Sequence, residues 1–390
     1  MSHREAALKF HKDHQGKVAT ELRAPITDKE TLGLAYTPGV AQACLEIEKD
    51  PQTAYDYTWK SRTIAVISDG TAVLGLGDIG PMASLPVMEG KCNLLKSFGG
   101  VDAVPIVLDE KDPEKLIQII KALAPTFGGI NLEDISAPRC IQIERTLIEE
   151  LDIPVFHDDQ HGTAIVVTAG LINALKLIGK SFEALKVVVS GVGAAGSSII
   201  RMLYQVGVRD IYGFNRNGVL NRDKLEQADF LQKELIEITN PSNEDVTLEQ
   251  AMVKADVFIG VSAGNIVSEA MVASMNENAV VFALANPEPE ITYELAKKAG
   301  ARVVGTGRSD APNQVNNVLV FPGLFKGALA SRATKITDEM KLAAAYGLAS
   351  LITENQLNEE YVIPEVFDSR VADVVAKAVM DEVERQQTQN

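Results

Sequence analysis

Lys186-Val187-Val188-Val189-Ser190-Gly191-Val192-Gly193-Ala194-Ala195-Gly196 sets the architecture of this chain. A short apolar run of strand length passes directly into a Gly-x-Gly-x-x-Gly turn, and Ser197 to Val206 beyond it reads as a helix. The next strand, Ile211 to Phe214, closes a βαβ unit. In such a unit the glycines let backbone N–H groups at a helix start come close to a pyrophosphate.

That context makes Gly191, Val192, Gly193, Ala194, Ala195 and Gly196 the candidate cofactor-binding turn of a Rossmann-type dinucleotide-binding domain. After the second strand the chain reads Phe214-Asn215-Arg216-Asn217, with no Asp or Glu at the strand end. Asn215 can hydrogen-bond a ribose hydroxyl but lacks the charge that repels a 2′-phosphate, and Arg216 is able to pair with one. NAD is expected, with NADP open. A second Gly-x-Gly-x-x-Gly, Gly75 to Gly80, has Asp78 inside the turn and Pro81 after it, and reads as a close-packed turn beside the active site.

Outward from the turn, strands at 63–68, 103–108, 129–132 and 153–156 alternate with helices, including one from Pro113 and one opened by Ser136. Downstream, strands are expected at 257–261, 279–284, 302–304 and 318–321, then a helical tail from Asp338 broken near Pro364. The expected fold is α/β: an N-terminal α/β domain with a mainly parallel sheet, residues 1–160, then the dinucleotide domain with C-terminal helices, residues 161–390. At 390 residues the chain exceeds the size of one core.

A net charge of −16 repels nucleic acid and anionic membranes, so neither is an expected partner. The polar start and the interrupted apolar stretch Ala164 to Gly179, shorter than a bilayer span, point to a cytoplasmic protein. Cys44, Cys92 and Cys140 are scattered and read as packed thiols.

Paired acids end two neighbouring strands, Glu133-Asp134 and Asp158-Asp159. If those strands pair, four carboxylates meet at one sheet edge, where ligands bind in parallel sheets. Such a cluster needs a cation. Lys91, in an apolar helical stretch, reads as a snorkelling surface lysine, or as a base if its ammonium is desolvated. His157 and His161 flank the second acid pair, but a carboxylate site for a hard ion fits better than zinc. Tyr36 lies on the bend before Pro38, and Asn286 and Asn317 follow later strands.

These stretches together resemble the malic enzyme family, in its short bacterial form. Tyr36-Thr37-Pro38-Gly39, Gly75-Leu76-Gly77-Asp78, Gly90-Lys91, Glu133-Asp134, Phe156-His157-Asp158-Asp159, the 191–196 turn, Asn286-Pro287 and Asn316-Asn317 follow the family's order. The resemblance implies oxidative decarboxylation of L-malate to pyruvate and CO2 with NAD(P)+ and Mg2+ or Mn2+. It implies Glu133, Asp134 and Asp159 as metal ligands, Lys91 as general base, Asp158 as its support, Tyr36 as general acid, Asn286 and Asn317 as substrate contacts, and a homodimer or higher homo-oligomer. Larger members carry an Arg two residues after Asp-Gly, where this chain has Ala72. The alternatives are a malolactic-type or decarboxylating enzyme of the same fold, and a nucleotide-sensing regulator that turns nothing over.

Overall fold

A computed structural model describes residues 2–73 and 75–389. The first sheet holds β1 (Thr63–Ser68), β2 (Asp102–Val107), β3 (Gly129–Leu132) and β4 (Val155–His157), all parallel, in the order β2-β1-β3-β4. Its order reverses between β1 and β3, and the acid pairs follow β3 and β4 at the carboxyl edge. The pairing of Leu132 with His157 sets Glu133 beside Asp158.

The second sheet comprises β5 (Lys186–Ser190), β6 (Asp210–Asn215), β7 (Gly218–Val219), β8 (Val257–Gly260), β9 (Val280–Ala283) and β10 (Val303–Thr306). Its order is β10-β9-β8-β5-β6-β7, with only β7 antiparallel. The glycine turn follows β5 at the switch point beside β8, where such sheets bind dinucleotides. One apolar cluster, from Ile64 to Val383, runs continuously through both sheets, and a smaller one covers the other face of the second.

Three expected strand and helix assignments are corrected. Val318 to Phe321 is not a strand: Asn317–Leu319 is a 3-10 turn, capped by the Asn316 side chain, and Phe321–Ala330 is an α-helix with Pro322 in its first turn. A short apolar run buried on every side looks the same in either state. The helix assigned to Ser136 begins instead at Arg139, after the cis Ala137-Pro138 bond.

The third correction matters most. The helix expected from Thr163 starts at Asp158 and runs to Ile178, so Asp158 and Asp159 form its first turn, where the positive end of the helix dipole favours acids. At 21 residues it is long and apolar enough to cross a membrane, which the sequence reading had excluded by length, yet 67% of its apolar window is buried inside the fold. It is a buried helix packed chiefly against the Ala194–Gln205 and Asp338–Ser350 helices. Cys92 and Cys140 are buried, and burial pushes both thiols up to about 12, whereas Cys44 is exposed rather than packed.

Candidate active site

Lys91 projects from the Pro81–Gly99 helix, and its side chain is only 10% exposed, so it does not snorkel. Its Nζ lies 2.7 Å from Glu133 Oε1 and 2.7 Å from Asp158 Oδ2, over the ring of Phe321. Burial alone would favour loss of the proton, but the Asp158 and Glu133 carboxylates outweigh it and hold Lys91 well above the ordinary ammonium value. The expected desolvated base is therefore a charged lysine as long as both acids face it.

Asp158 is fully buried, and its Oδ2 also accepts an N–H from Asn317 Nδ2 at 3.0 Å. Asn317 in turn accepts from Thr163 Oγ1 at 2.9 Å. The other oxygen, Oδ1, faces Gly162, where a Cβ would sit 2.2 Å from it. The glycine is thus required by the close passage of the Asp158 carboxylate, a constraint that the sequence alone did not reveal.

One oxygen each from Glu133, Asp134 and Asp159 lies within 4.8 Å of the others. Asp159 Oδ2 accepts the Asp134 N–H at 2.7 Å, and Asn131 Nδ2 donates to Glu133 Oε2 at 2.9 Å. Burial, only partly opposed by Lys91, raises Glu133 well above the carboxylate range, and Asp159, Asp158 and Asp134 push the same way. One ammonium therefore leaves this acid cluster short of positive charge. An all-oxygen set of this size fits a hard divalent ion such as Mg2+ or Mn2+.

The His157 ring is buried with Nδ1 3.9 Å from Asp159 Oδ2, at the edge of the nest, whereas His161 turns to Glu144. His161 Nε2 lies 2.9 Å from Glu144 Oε2, and Glu144 Oε1 accepts the His157 N–H at 2.8 Å, so Glu144 ties down the start of the 158–178 helix. Burial holds His161 below the usual imidazole value, against the opposing pull of the Glu144 carboxylate. Glu144 and Arg139, which braces the Asp69 turn, carry no motif and were not among the candidates.

In the glycine turn the three glycines have separate reasons. Gly191 has φ 99° and a Cβ there would meet Val261 O at 2.6 Å; one at Gly196 would strike Gly191 O at 1.7 Å. Gly193 faces open space, and the helix Ala194–Gln205 that follows it has no side-chain cap, which suits a phosphate group. Asn215 Oδ1 accepts the Asn217 N–H at 2.7 Å, and Arg216 makes no ion pair among the described residues. The Gly75–Gly80 segment is a turn leading to Pro81, with Asp78 paired to Lys111.

Two candidates are not brought to the cluster. Tyr36 is 66% exposed, and among the described residues its side chain makes no hydrogen bond. Asn286, after β9, makes one side-chain hydrogen bond among the described residues, to Leu284 O at 3.5 Å. At the Asp69-Gly70-Thr71-Ala72 turn, where larger members carry an Arg, a guanidinium does arrive from Arg139, but it is engaged by Asp69, Thr71, Ser136 and Lys111.

Residues 15–148 match the family "Malic enzyme, N-terminal domain" and residues 160–384 match "Malic enzyme, NAD binding domain". The chain is 54% identical to the bifunctional malic/malolactic enzyme of Bacillus subtilis, over 97% of this chain and 92% of that one. It is 56% identical to the NAD-dependent malic enzyme of Geobacillus stearothermophilus, over 94% of this chain and 76% of that one. The crystal structure of the NAD-dependent malic enzyme of Thermotoga maritima superposes with a TM-score of 0.92 at 50% identity, covering 96% of this chain and 98% of that one.

Proposed function

The chain belongs to the malic enzyme family and oxidatively decarboxylates L-malate to pyruvate and CO2 with reduction of NAD(P)+; we propose that Lys91, Asp158 and Tyr36 carry its proton transfers and that Glu133, Asp134 and Asp159 hold its divalent ion. The observation that carries this assignment is the 2.7 Å approach of Lys91 to both Glu133 and Asp158 beside the acid nest. Mg2+ or Mn2+ held there would supply Lewis acidity to the malate hydroxyl and its adjacent carboxylate. An ion held there would draw on the charge of Glu133, which also lies 2.7 Å from Lys91 Nζ, and would weaken the hold of that carboxylate on the ammonium. Once its ammonium has released a proton to solvent, Lys91 takes the C2 hydroxyl proton as hydride leaves for the nicotinamide, and Asp158 stabilises the ammonium formed again. Asn317 and Asn286 hold the substrate, and Tyr36 returns a proton to C3.

Tyr36 reaches a site only from a second copy in this reading. The helices His3–His14, Lys29–Ala35 and Val40–Lys49 contain no buried residue, while Leu8, Leu22, Leu34, Tyr36 and Leu45 are exposed by more than half. An arm with that much uncovered apolar surface calls for a partner, and a homo-oligomer supplies it. Mixing a Tyr36→Phe protein with a Lys91→Ala protein tests this: subunit exchange restores activity if the tyrosine serves its neighbour, and restores none if it serves its own chain.

The reaction is tested with malate, Mn2+ and either NAD+ or NADP+, following reduced nicotinamide and pyruvate together. Asn215 and Arg216 support use of both cofactors, with NAD preferred. A malolactic reading is favoured by the name of the Bacillus subtilis relative. Lactate formed without reduced cofactor would establish it in place of the oxidative one. The proposal also includes a division into domains near residue 160 and a cytoplasmic location.

A further inference from the structure

Asp134 is 4% exposed and stands at φ 54°, in the left-handed region that non-glycine residues adopt uncommonly. Two hydrogen bonds fix its backbone. Its N–H donates to Asp159 Oδ2 at 2.7 Å, and its carbonyl accepts the Ala72 N–H at 3.0 Å. Ala72 belongs to the turn after β1, so the shape of that turn decides where Asp134 sits.

The turn is itself held by a closed network. Asp69, 1% exposed, accepts from Thr71 Oγ1 through Oδ1 at 2.6 Å and pairs with Arg139 through Oδ2. Thr71 Oγ1 accepts from Arg139 at 2.6 Å and from the Ser136 N–H at 3.0 Å. Arg139 Nε donates to Ser136 Oγ at 3.0 Å, and another of its nitrogens to Lys111 O at 2.8 Å. The planar guanidinium fork thus spans the turn after β1 and the loop after β3, which a lysine point charge cannot do with one geometry.

We infer that Arg139 is a positioning residue for the metal nest: by locking the Asp69–Ala72 turn it keeps the Ala72 N–H on Asp134 and so holds that carboxylate beside Glu133 and Asp159. The inference rests on the assignment of those three acids to the divalent ion. Ala72 contributes its backbone to the nest through this network.

The test is direct Mn2+ binding, read from the electron paramagnetic resonance of the free ion without malate, in parent protein and in Arg139→Ala, Arg139→Lys, Thr71→Val and Asp159→Ala variants. NADH binding and thermal unfolding run in parallel. Loss of the brace weakens Mn2+ binding about 10- to 100-fold in Arg139→Ala, the range seen when groups orienting metal ligands are removed. Added guanidinium ion restores part of it, Arg139→Lys and the near-isosteric Thr71→Val lose less, and NADH affinity is unchanged in all. If Asp159→Ala loses Mn2+ but the folded Arg139→Lys and Thr71→Val proteins bind it as tightly as the parent, the positioning role is overturned and the nest stands. If Asp159→Ala binds Mn2+ like the parent, both fall.

Discussion

Lys91 Nζ and Asp158 Oδ2 stand 2.7 Å apart, and the same oxygen takes the Asn317 amide, so one buried carboxylate joins a helix of the first sheet to the 317–319 turn of the second half. Replacing Lys91 by Ala removes the base and leaves Glu133 and Asp158 without their ammonium. The expected loss in kcat is about 10²- to 10⁴-fold, the usual contribution of a positioned general base. Steady-state kinetics with malate, alongside an NADH titration that stays normal, checks it.

Asp158→Asn probes the electrostatics without changing the shape. Burial lowers the Lys91 pKa, and Asp158 is the largest of the opposing influences that hold it high. Removing that charge lowers the pKa, so the limb of the pH–rate profile on which Lys91 must lose its proton moves to lower pH. A limb that stays in place or moves upward would contradict the pairing.

Gly162→Ala places a Cβ 2.2 Å from Asp158 Oδ1 and 3.0 Å from Asn317 Cγ. Overpacking of this kind costs about 1–3 kcal/mol. Because the displaced atoms belong to the Asp158–Asn317 pair, activity falls by more than the thermal midpoint suggests. Equal behaviour of Gly162→Ala and parent in kcat/KM would show that the pair tolerates the shift.

Glu234 is gripped by Arg145 first and then by Arg201, which hold its carboxyl down at about 2. A depressed acid contributes stability above its unfolded value near 4.5 that is lost as pH falls toward about 2. Glu234 is 39% exposed, so solvent screening limits the contribution to less than about 1 kcal/mol. Glu234→Gln is therefore slightly less stable at neutral pH, with a flatter stability curve across that acid window in urea titrations.

The strands were legible because apolar runs bounded by glycine, proline and acid stand out along the chain, and the 186–196 turn fixed the second sheet. The acid nest was legible because both acid pairs follow strands that turned out to be neighbours. What failed was what depends on tertiary contact. Val318 to Phe321 is buried on all sides, so its apolar run carried no period. The early start of the Asp158 helix carries no capping side chain, so only the favourable placing of acids in a first turn marked it, a cue masked by Gly162. Glu144, Arg139 and the demand for glycine at 162 arise from neighbours 13 to 70 positions away in sequence or from a side chain folded back on its own helix.

The Asp158–Ile178 helix measures about 31 Å at 1.5 Å per residue. Its first turn lies in the acid nest, and its length packs along the Ala194–Gln205 helix that opens from the glycine turn. The two helices in contact join the acid nest directly to the glycine turn. A substitution that re-spaces these two helices is therefore felt at the acid nest and at the glycine turn together.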